Sequence, residues 1–277
     1  MTATIINGEI NDHISIYDRG LQYGDGLFET IAIKNHKLLL WQDHIDRLNQ
    51  GCRILNLPII DEQLWLNDIA ALNIPETDGV IKIILTRGSG GRGYCIPDTT
   101  NVSRIVSLHP WPEHPEDNST KGIKTFFCET RVSVNSTLSG IKHLNRLENV
   151  IARNEWKDES IAEGIMLNDD EHIIEGTMSN IFSVNNDILY TPLLNKSGVK
   201  GVIRKNIIEL ARVHDIEVQE IVLSKEILLN MDEIFITNSL IGIWPVIKLH
   251  DRHFSLGKIT SLLTEKLDMT QGAKELL

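Results

Sequence analysis

The stretch "GIMLNDDEHIIEGTMSNIFSVNNDILYTP", residues 164–192, decides how this chain is read. Its apolar runs are short and are interrupted by the polar clusters "NDDEH" and "NND". Clusters of that kind turn the chain, and short apolar runs between them read as strands, so the segment is an antiparallel meander. Upstream, "IKTFFCETRV" (123–132) reads as another strand, and "LSGIKHLNRLENVIARNEW" (138–156) places Leu144, Leu147 and Ile151 on one side of a helix. Downstream, "GVIRKNIIELARVHD" (201–215) is a helix with Ile203, Ile207, Leu210 and Ala211 facing inward. "DEIFITNS" (232–239) is a strand and "GKITSLLTEKL" (257–267) a closing helix.

The first hundred residues are built differently. "TIINGEI" (4–10) reads as a short strand, and "LFETIAIKNHKLLLW" (27–41) as two strands joined by a tight turn at Asn35-His36. Ile45, Leu48, Cys52 and Leu55 recur at spacings of three and four, which marks a helix face, with Arg47 off that stripe. "DEQLWLNDIAALN" (61–73) is a second helix, with Asp61 as its cap. "GVIKIILTRG" (79–88) and "VSRIVSLH" (102–109) are buried strands with β-branched enrichment. "HPWPEHPEDNSTKG" (109–122) has three prolines, several charges and no periodicity, the composition of a linker. Strands and helices that cluster without strict alternation indicate an α+β protein of two domains. We place them at 1–112 and 122–277, with the linker at 113–121.

Composition excludes several function classes. The net charge is −11, with acidic residues spread along all 277 positions, which argues against a nucleic-acid surface. Cys52, Cys95 and Cys128 are far apart and form no CxxC pair, a pattern suited to a reducing compartment. "MTATIINGEINDH" lacks a basic start and an apolar run, and no apolar stretch reaches membrane-spanning length. The expectation is a soluble cytoplasmic protein. His109 and His114 have no partners at metal-ligand spacing, so no metal site is expected.

Lys142 stands just before a helix, where a lysine is ordinarily a solvated surface group. A nucleophilic amine would have to lose its proton readily, although a free lysine titrates near ~10.4. Burial or a nearby cation lowers that value, and pyridoxal phosphate is the commonest partner of such a lysine. The cofactor's ring nitrogen calls for a carboxylate, and Glu175 ends a strongly apolar strand. Its phosphate calls for an arginine, such as Arg47, and for backbone N–H groups at a helix start, which Val202 and Ile203 offer after Gly198 and Gly201. Asn238 and Ser239 place small polar groups at a strand end. "TRGSGGRGY" (86–94) is neither a dinucleotide fingerprint nor a phosphate loop, because the glycine spacing is wrong and no Gly-Lys-Ser/Thr ending follows. A structural role is expected for His143, and exposure on a helix face for Arg204 and Lys205.

Taken together, these motifs resemble the fold-type IV family of pyridoxal-phosphate enzymes, which includes branched-chain and D-amino acid aminotransferases and 4-amino-4-deoxychorismate lyases. The resemblance runs through "INGEI", "YDRGLQYGDGLFETI", "HIDRL", "GIKHLNRLENV", "EGTMSNIF" and "ITNSLIGIWPV". "LTRGSGGRGY" and "GIKHLNRLENV" are most similar to the lyase subgroup. The resemblance implies a two-domain fold with pyridoxal phosphate at the domain interface. Lys142 would be the Schiff-base lysine and Glu175 the partner of the pyridine nitrogen. Arg47 would hold the phosphate, aided by Val202 and Ile203 through their backbone and by Asn238 and Ser239, while Ser179 and Asn180 would line the pocket. A lyase of this subgroup acts on a dicarboxylate, and Arg87, Arg92 and Tyr94 are the candidates for binding it. Thr30 is the candidate for protonating the leaving group. A homodimer is implied, with a loop of one subunit reaching the other's site. Two alternatives stand beside the lyase: an aminotransferase of the same fold, and a non-catalytic ligand-binding module.

Overall fold

One turn explains how the first long strand is reversed. Asn35 and His36 both take positive φ, 48° and 57°, the backbone that reverses a twisted hairpin in two residues. In the computed structural model, which describes residues 4–74 and 77–276, they join β3 (Gly26–Lys34) to β4 (Lys37–Leu38). Met1 to Ala3, the start of the stretch read for a leader, lie outside the described residues. Before these strands come β1 (Thr4–Ile6), β2 (Glu9–Ile10) and the short helix α1 (Arg19–Tyr23), which is capped by Asp18. After them come α2 (Trp41–Leu55) and α3 (Glu62–Ala70), then β5 (Gly79–Thr86) and β6 (Ser103–Pro110). Asp61 accepts a hydrogen bond from the Gln63 amide and caps α3. The strands order as β4-β3-β5-β6-β1-β2, and the long pairs β3–β5 and β5–β6 are antiparallel. Leu27, Ile31 and Ile33 alternate inward on β3 and are almost fully buried, as are Ile45, Leu48 and Cys52 on α2.

A second unit comprises residues 113–140 and 146–268. It opens with α4 (Asn118–Lys121) and β7 (Ile123–Arg131), so residues 113–121 belong to this unit and contain a helical turn. There follow α5 (Leu147–Arg153), β8 (Ile161–Leu167), β9 (His172–Gly176), β10 (Asn180–Asn185) and β11 (Ile188–Pro192). Next are α6 (Val202–Val213), β12 (Val218–Ile221), β13 (Leu223–Ser224) and α7 (Lys225–Leu229). The unit ends with β14 (Glu233–Asn238), β15 (Gly242–Leu249), β16 (Arg252–His253) and α8 (Lys258–Lys266). Its ten-stranded sheet runs β12-β11-β10-β14-β15-β7-β8-β9-β13, with β16 on β15. Residues 141–145 and 269–276 are grouped with the first unit, where β17 (Lys274–Glu275) pairs with β4.

Three expectations are corrected here. The stretch 164–192 forms two hairpins, β8–β9 and β10–β11, because β10 pairs with β14 and not with β9. The break falls at residues 176–179, where Gly176 N–H donates to Ser179 O at 2.7 Å and closes a turn. Second, Leu144 lies outside α5, while Leu147 is 72% and Ile151 52% exposed. The seven-residue helix seats Ala152 in the core beside Trp156 and Met166, so its larger apolar residues face away. Third, Arg204 is buried, and its guanidinium bonds Glu220 at 2.6 Å and Pro192 O at 3.1 Å.

Candidate active site

Residues 142–144 pair with the start of β3 through an antiparallel bridge of His143 with Leu27. Phe28 N–H donates to Lys142 O at 3.0 Å, and Leu144 N–H donates to Gly26 O at 3.0 Å. This pairing puts Lys142 and Phe28 on one face, with the Lys142 ammonium 4.4 Å from the Phe28 ring centroid. Thr30 follows at the next same-face position of β3 and lies opposite Lys82 on β5. The Lys82 ammonium is 5.7 Å from the same ring. Among the described residues no carboxylate pairs with Lys82. A hydroxyl and two amines therefore share one face around an aromatic ring, which attracts cations. Lys82 was not singled out by sequence reasoning. The strand alternation of "GVIKIILT" places it on the face opposite the buried Ile81 and Ile83, and that signal was available.

The opposite face of β3 carries Glu29, fully buried against α2. Arg47 grips it with Nε at 2.8 Å from Oε1 and Nη2 at 2.5 Å from Oε2. His44 Nδ1 is 2.6 Å from Oε2. Burial alone would raise the Glu29 pKa, but the charges and hydrogen bonds of Arg47 and His44 outweigh it and hold the pKa at about 2. Burial lowers the pKa of His44, and because the facing Glu29 carboxylate can only accept, His44 Nδ1–H is the donor. Arg47, read as leaving its helix on the polar side, is thus fixed by a carboxylate eighteen positions earlier. A planar guanidinium locked in this way is suited to a phosphate.

In the second unit Glu175 is buried at the end of β9, and its Oε2 accepts the Val199 amide at 2.8 Å. Asn180, at the start of β10, accepts Gly201 N–H at 3.0 Å and donates to Val199 O at 2.8 Å. These bonds tie Glu175 and Asn180 to the approach of α6. No side chain caps that helix, whose N-cap is Gly201. A Cβ at Gly201 would stand 2.0 Å from Asn180 Oδ1, so only glycine permits the contact. The uncapped amides of Val202 and Ile203 suit an anion. Ser179 is buried with its hydroxyl donating to Glu163 Oε2 at 2.8 Å. Asn238 Oδ1 accepts the amides of Leu240 and Ile241 at 2.9 and 3.0 Å, and its Nδ2 donates to Met178 O at 3.1 Å. Its amide therefore shapes the chain, and Ser239 is half-buried in the turn that follows.

On the glycine loop the three candidate side chains are placed differently. Arg87 is buried and serves the fold: Nε and Nη2 bond Asp25 at 2.7 and 3.0 Å. Its remaining bonds go to Leu55 O at 2.7 Å and Asn56 O at 3.0 Å, at the end of α2. Asp25 also accepts from Arg19 at 2.9 Å, and Arg19 in turn holds Gly93 O at 2.9 Å. Arg92 and Tyr94 lie exposed on this loop, with the Tyr94 ring edge-on to Tyr23 at 5.4 Å.

The first unit supplies an amine and a gripped guanidinium, and the second an uncapped helix start and a buried carboxylate held by a backbone amide. These are the kinds of group that a phosphorylated aldehyde with a basic ring nitrogen calls for. Among the described residues no group of three His, Cys, Asp or Glu side chains is placed to hold a metal, and no helix is long and apolar enough to cross a membrane.

Comparison with known proteins matches residues 26–249 to the family described as amino-transferase class IV. The chain is 34% identical over 267 residues to the aminodeoxychorismate lyase of Vibrio harveyi, covering 95% of this chain and 98% of that one. It is 28% identical over 267 residues to a D-alanine aminotransferase of Staphylococcus aureus, covering 94% and 93%. The crystal structure of 4-amino-4-deoxychorismate lyase from Pseudomonas aeruginosa superposes with a TM-score of 0.92 at 39% identity, over 95% of this chain and 97% of that one.

Proposed function

The chain belongs to the amino-transferase class IV family, and from that premise we propose that it is a pyridoxal-phosphate-dependent lyase converting 4-amino-4-deoxychorismate to 4-aminobenzoate and pyruvate. The observation that carries this reading is the face shared by Lys142, Phe28, Thr30 and Lys82. It combines a nucleophilic amine with a hydroxyl and a second cation suited to a carboxylate. The likeness to two aminodeoxychorismate lyases, over nearly the full length of each, supports the choice of reaction.

When bound, the cofactor supplies a covalent carbonyl carbon for Lys142 and a sink for electrons released at the substrate. The Lys142 amine is the attachment point and the base that removes the proton from the carbon bearing the substrate nitrogen. Glu175, steadied by the Val199 amide, keeps a negative charge against the ring nitrogen and so favours its protonated form. Arg47, locked onto Glu29, would hold the phosphate, and the amides of Val202 and Ile203 would be further donors to it. Lys82 binds one substrate carboxylate, a role that Arg87 cannot fill because its donors are committed to Asp25 and α2. The Thr30 hydroxyl donates a proton to the departing enolpyruvyl oxygen as the carbon–oxygen bond breaks. Loss of one proton to Lys142 and of enolpyruvate leaves the aromatic ring. The proton taken by Lys142 replaces the one Thr30 gave, and the enol tautomerises to pyruvate by gaining a proton on carbon and losing the one on oxygen.

In this reading the protein works as a homodimer. Ile10, Ile16, Tyr17 and Leu21 are more than half exposed within one short stretch. They adjoin the glycine loop through the contact of Tyr23 with Tyr94. An apolar surface of this kind is suited to a second copy, and Arg92 and Tyr94 would then serve the partner's site.

The test is an assay of purified protein with aminodeoxychorismate, with and without added 2-oxo acid, combined with borohydride trapping. Release of 4-aminobenzoate without the 2-oxo acid, and a pyridoxyl label on Lys142, are expected. Turnover that requires the 2-oxo acid would identify an aminotransferase instead.

A further inference from the structure

Glu163 lies on β8 and is fully buried. Its same-face neighbour Ile165 belongs to the apolar core, so strand alternation calls for an apolar residue here. A carboxylate at such a place is costly unless donors surround it. Five do. Oε1 accepts from Gly164 N–H at 3.0 Å, Thr177 N–H at 3.1 Å and Thr177 Oγ1 at 2.5 Å. Oε2 accepts from Met178 N–H at 3.2 Å and Ser179 Oγ at 2.8 Å. Four of these donors belong to the turn 176–179, which has folded around the carboxylate. Gly176 presses against it: a Cβ there would stand 2.9 Å from Oε2 and 2.3 Å from Ser179 Oγ. Asn149 Nδ2 holds the same turn from outside, through Thr177 O at 3.0 Å.

The turn is flanked by the two side chains that organise the approach to α6. Glu175 precedes it and accepts the Val199 amide, while Asn180 follows it and bonds Val199 O and Gly201 N–H. We infer that Glu163 is a positioning residue of the cofactor site: its buried carboxylate is the template on which the 176–179 turn folds, and it thereby sets Glu175 and Asn180 in register with residues 199–202. The inference rests on the reading of Glu175 and the start of α6 as cofactor contacts.

Glu163→Gln keeps the shape but places an N–H₂ group where only acceptors are satisfied, so at least one turn amide loses its partner. Glu233→Gln is the control. Glu233 is a buried carboxylate of the same unit that accepts Thr260 N–H at 2.8 Å, Thr260 Oγ1 at 2.6 Å and Ile259 N–H at 3.2 Å at the start of α8, away from the turn. Both variants are expected to lose thermal stability. Only E163Q is expected to bind pyridoxal phosphate about 10-fold more weakly, to shift the absorbance maximum of the bound cofactor, and to speed amide exchange at Thr177 and Met178 in the apo protein. E163Q matching E233Q in affinity, absorbance and exchange would overturn the inference. If E163Q does not fold, Thr177→Val removes one donor while keeping the carboxylate, and an unchanged spectrum and affinity in that variant overturns it equally. Wild-type protein that takes up no pyridoxal phosphate would defeat the cofactor reading itself, an outcome told apart because it needs no variant.

Discussion

Glu29 carries its charge inside the protein because Arg47 and His44 both hold it. Its pKa falls from 4.5 to about 2 on folding, a difference worth roughly 3 kcal/mol. The sign follows from the depressed value: the stabilisation is fully present above pH 4.5 and is lost as pH falls toward about 2. Glu29→Gln is therefore expected to lower unfolding free energy by roughly that amount at pH 7, with the gap to wild type closing below pH 4.5. Denaturant titrations at pH 7 and pH 3 measure it, and an equal gap at both values would refute the account. Lys82 and Arg87 make a second contrast. Loss of Lys82 should raise KM about 10- to 100-fold with little change in kcat, the size of one charge-assisted hydrogen bond. A Lys82→Ala enzyme with unaltered KM would remove this lysine from the site.

Elements are joined by the same few charged groups. Arg87 links β5, the Asp25 segment ahead of β3 and the last carbonyls of α2, where a cation also favours the negative end of the helix. Arg87→Ala would leave the Asp25 carboxylate to Arg19 alone and the last carbonyls of α2 without their donor, and should cost about 1–3 kcal/mol of stability, leaving KM near wild type. A raised KM without loss of stability would restore the carboxylate-clamp role. At the other end of the chain, Gly201→Ala drives a methyl group into Asn180 Oδ1. The expected result is weaker pyridoxal phosphate binding, read by cofactor titration of the apo protein, because the start of α6 must move. How far the elements were legible follows their periodicity. The alternation of β3 and the three-four spacing of α2 were plain in the sequence, and both formed as read. The seven-residue α5 was not, because one turn of packing around Ala152 outweighed its larger apolar residues.

For the whole molecule the open matter is assembly. The exposed apolar run at Ile10, Ile16, Tyr17 and Leu21 is large for a surface left to water. Sedimentation of the wild-type protein should give a dimer, and Ile16→Asp should weaken it at least 10-fold by burying an unpaired charge. Activity should fall in step with dissociation, since the loop bearing Arg92 and Tyr94 would lose its target. A fully active monomer would refute this arrangement.

By itself the sequence determined most of the longer strands and helices, and it offered Lys142 and Glu175 as candidates, because local periodicity and short motifs are written in neighbouring residues. Only the tertiary structure decided what each charged group faces. Arg87 meets Asp25 from 62 positions away, and Thr177 reaches Glu163 from 14. Such partners are chosen by strand pairing and by the need of a buried charge for donors or a counter-charge, and neither can be read from spacing along the chain.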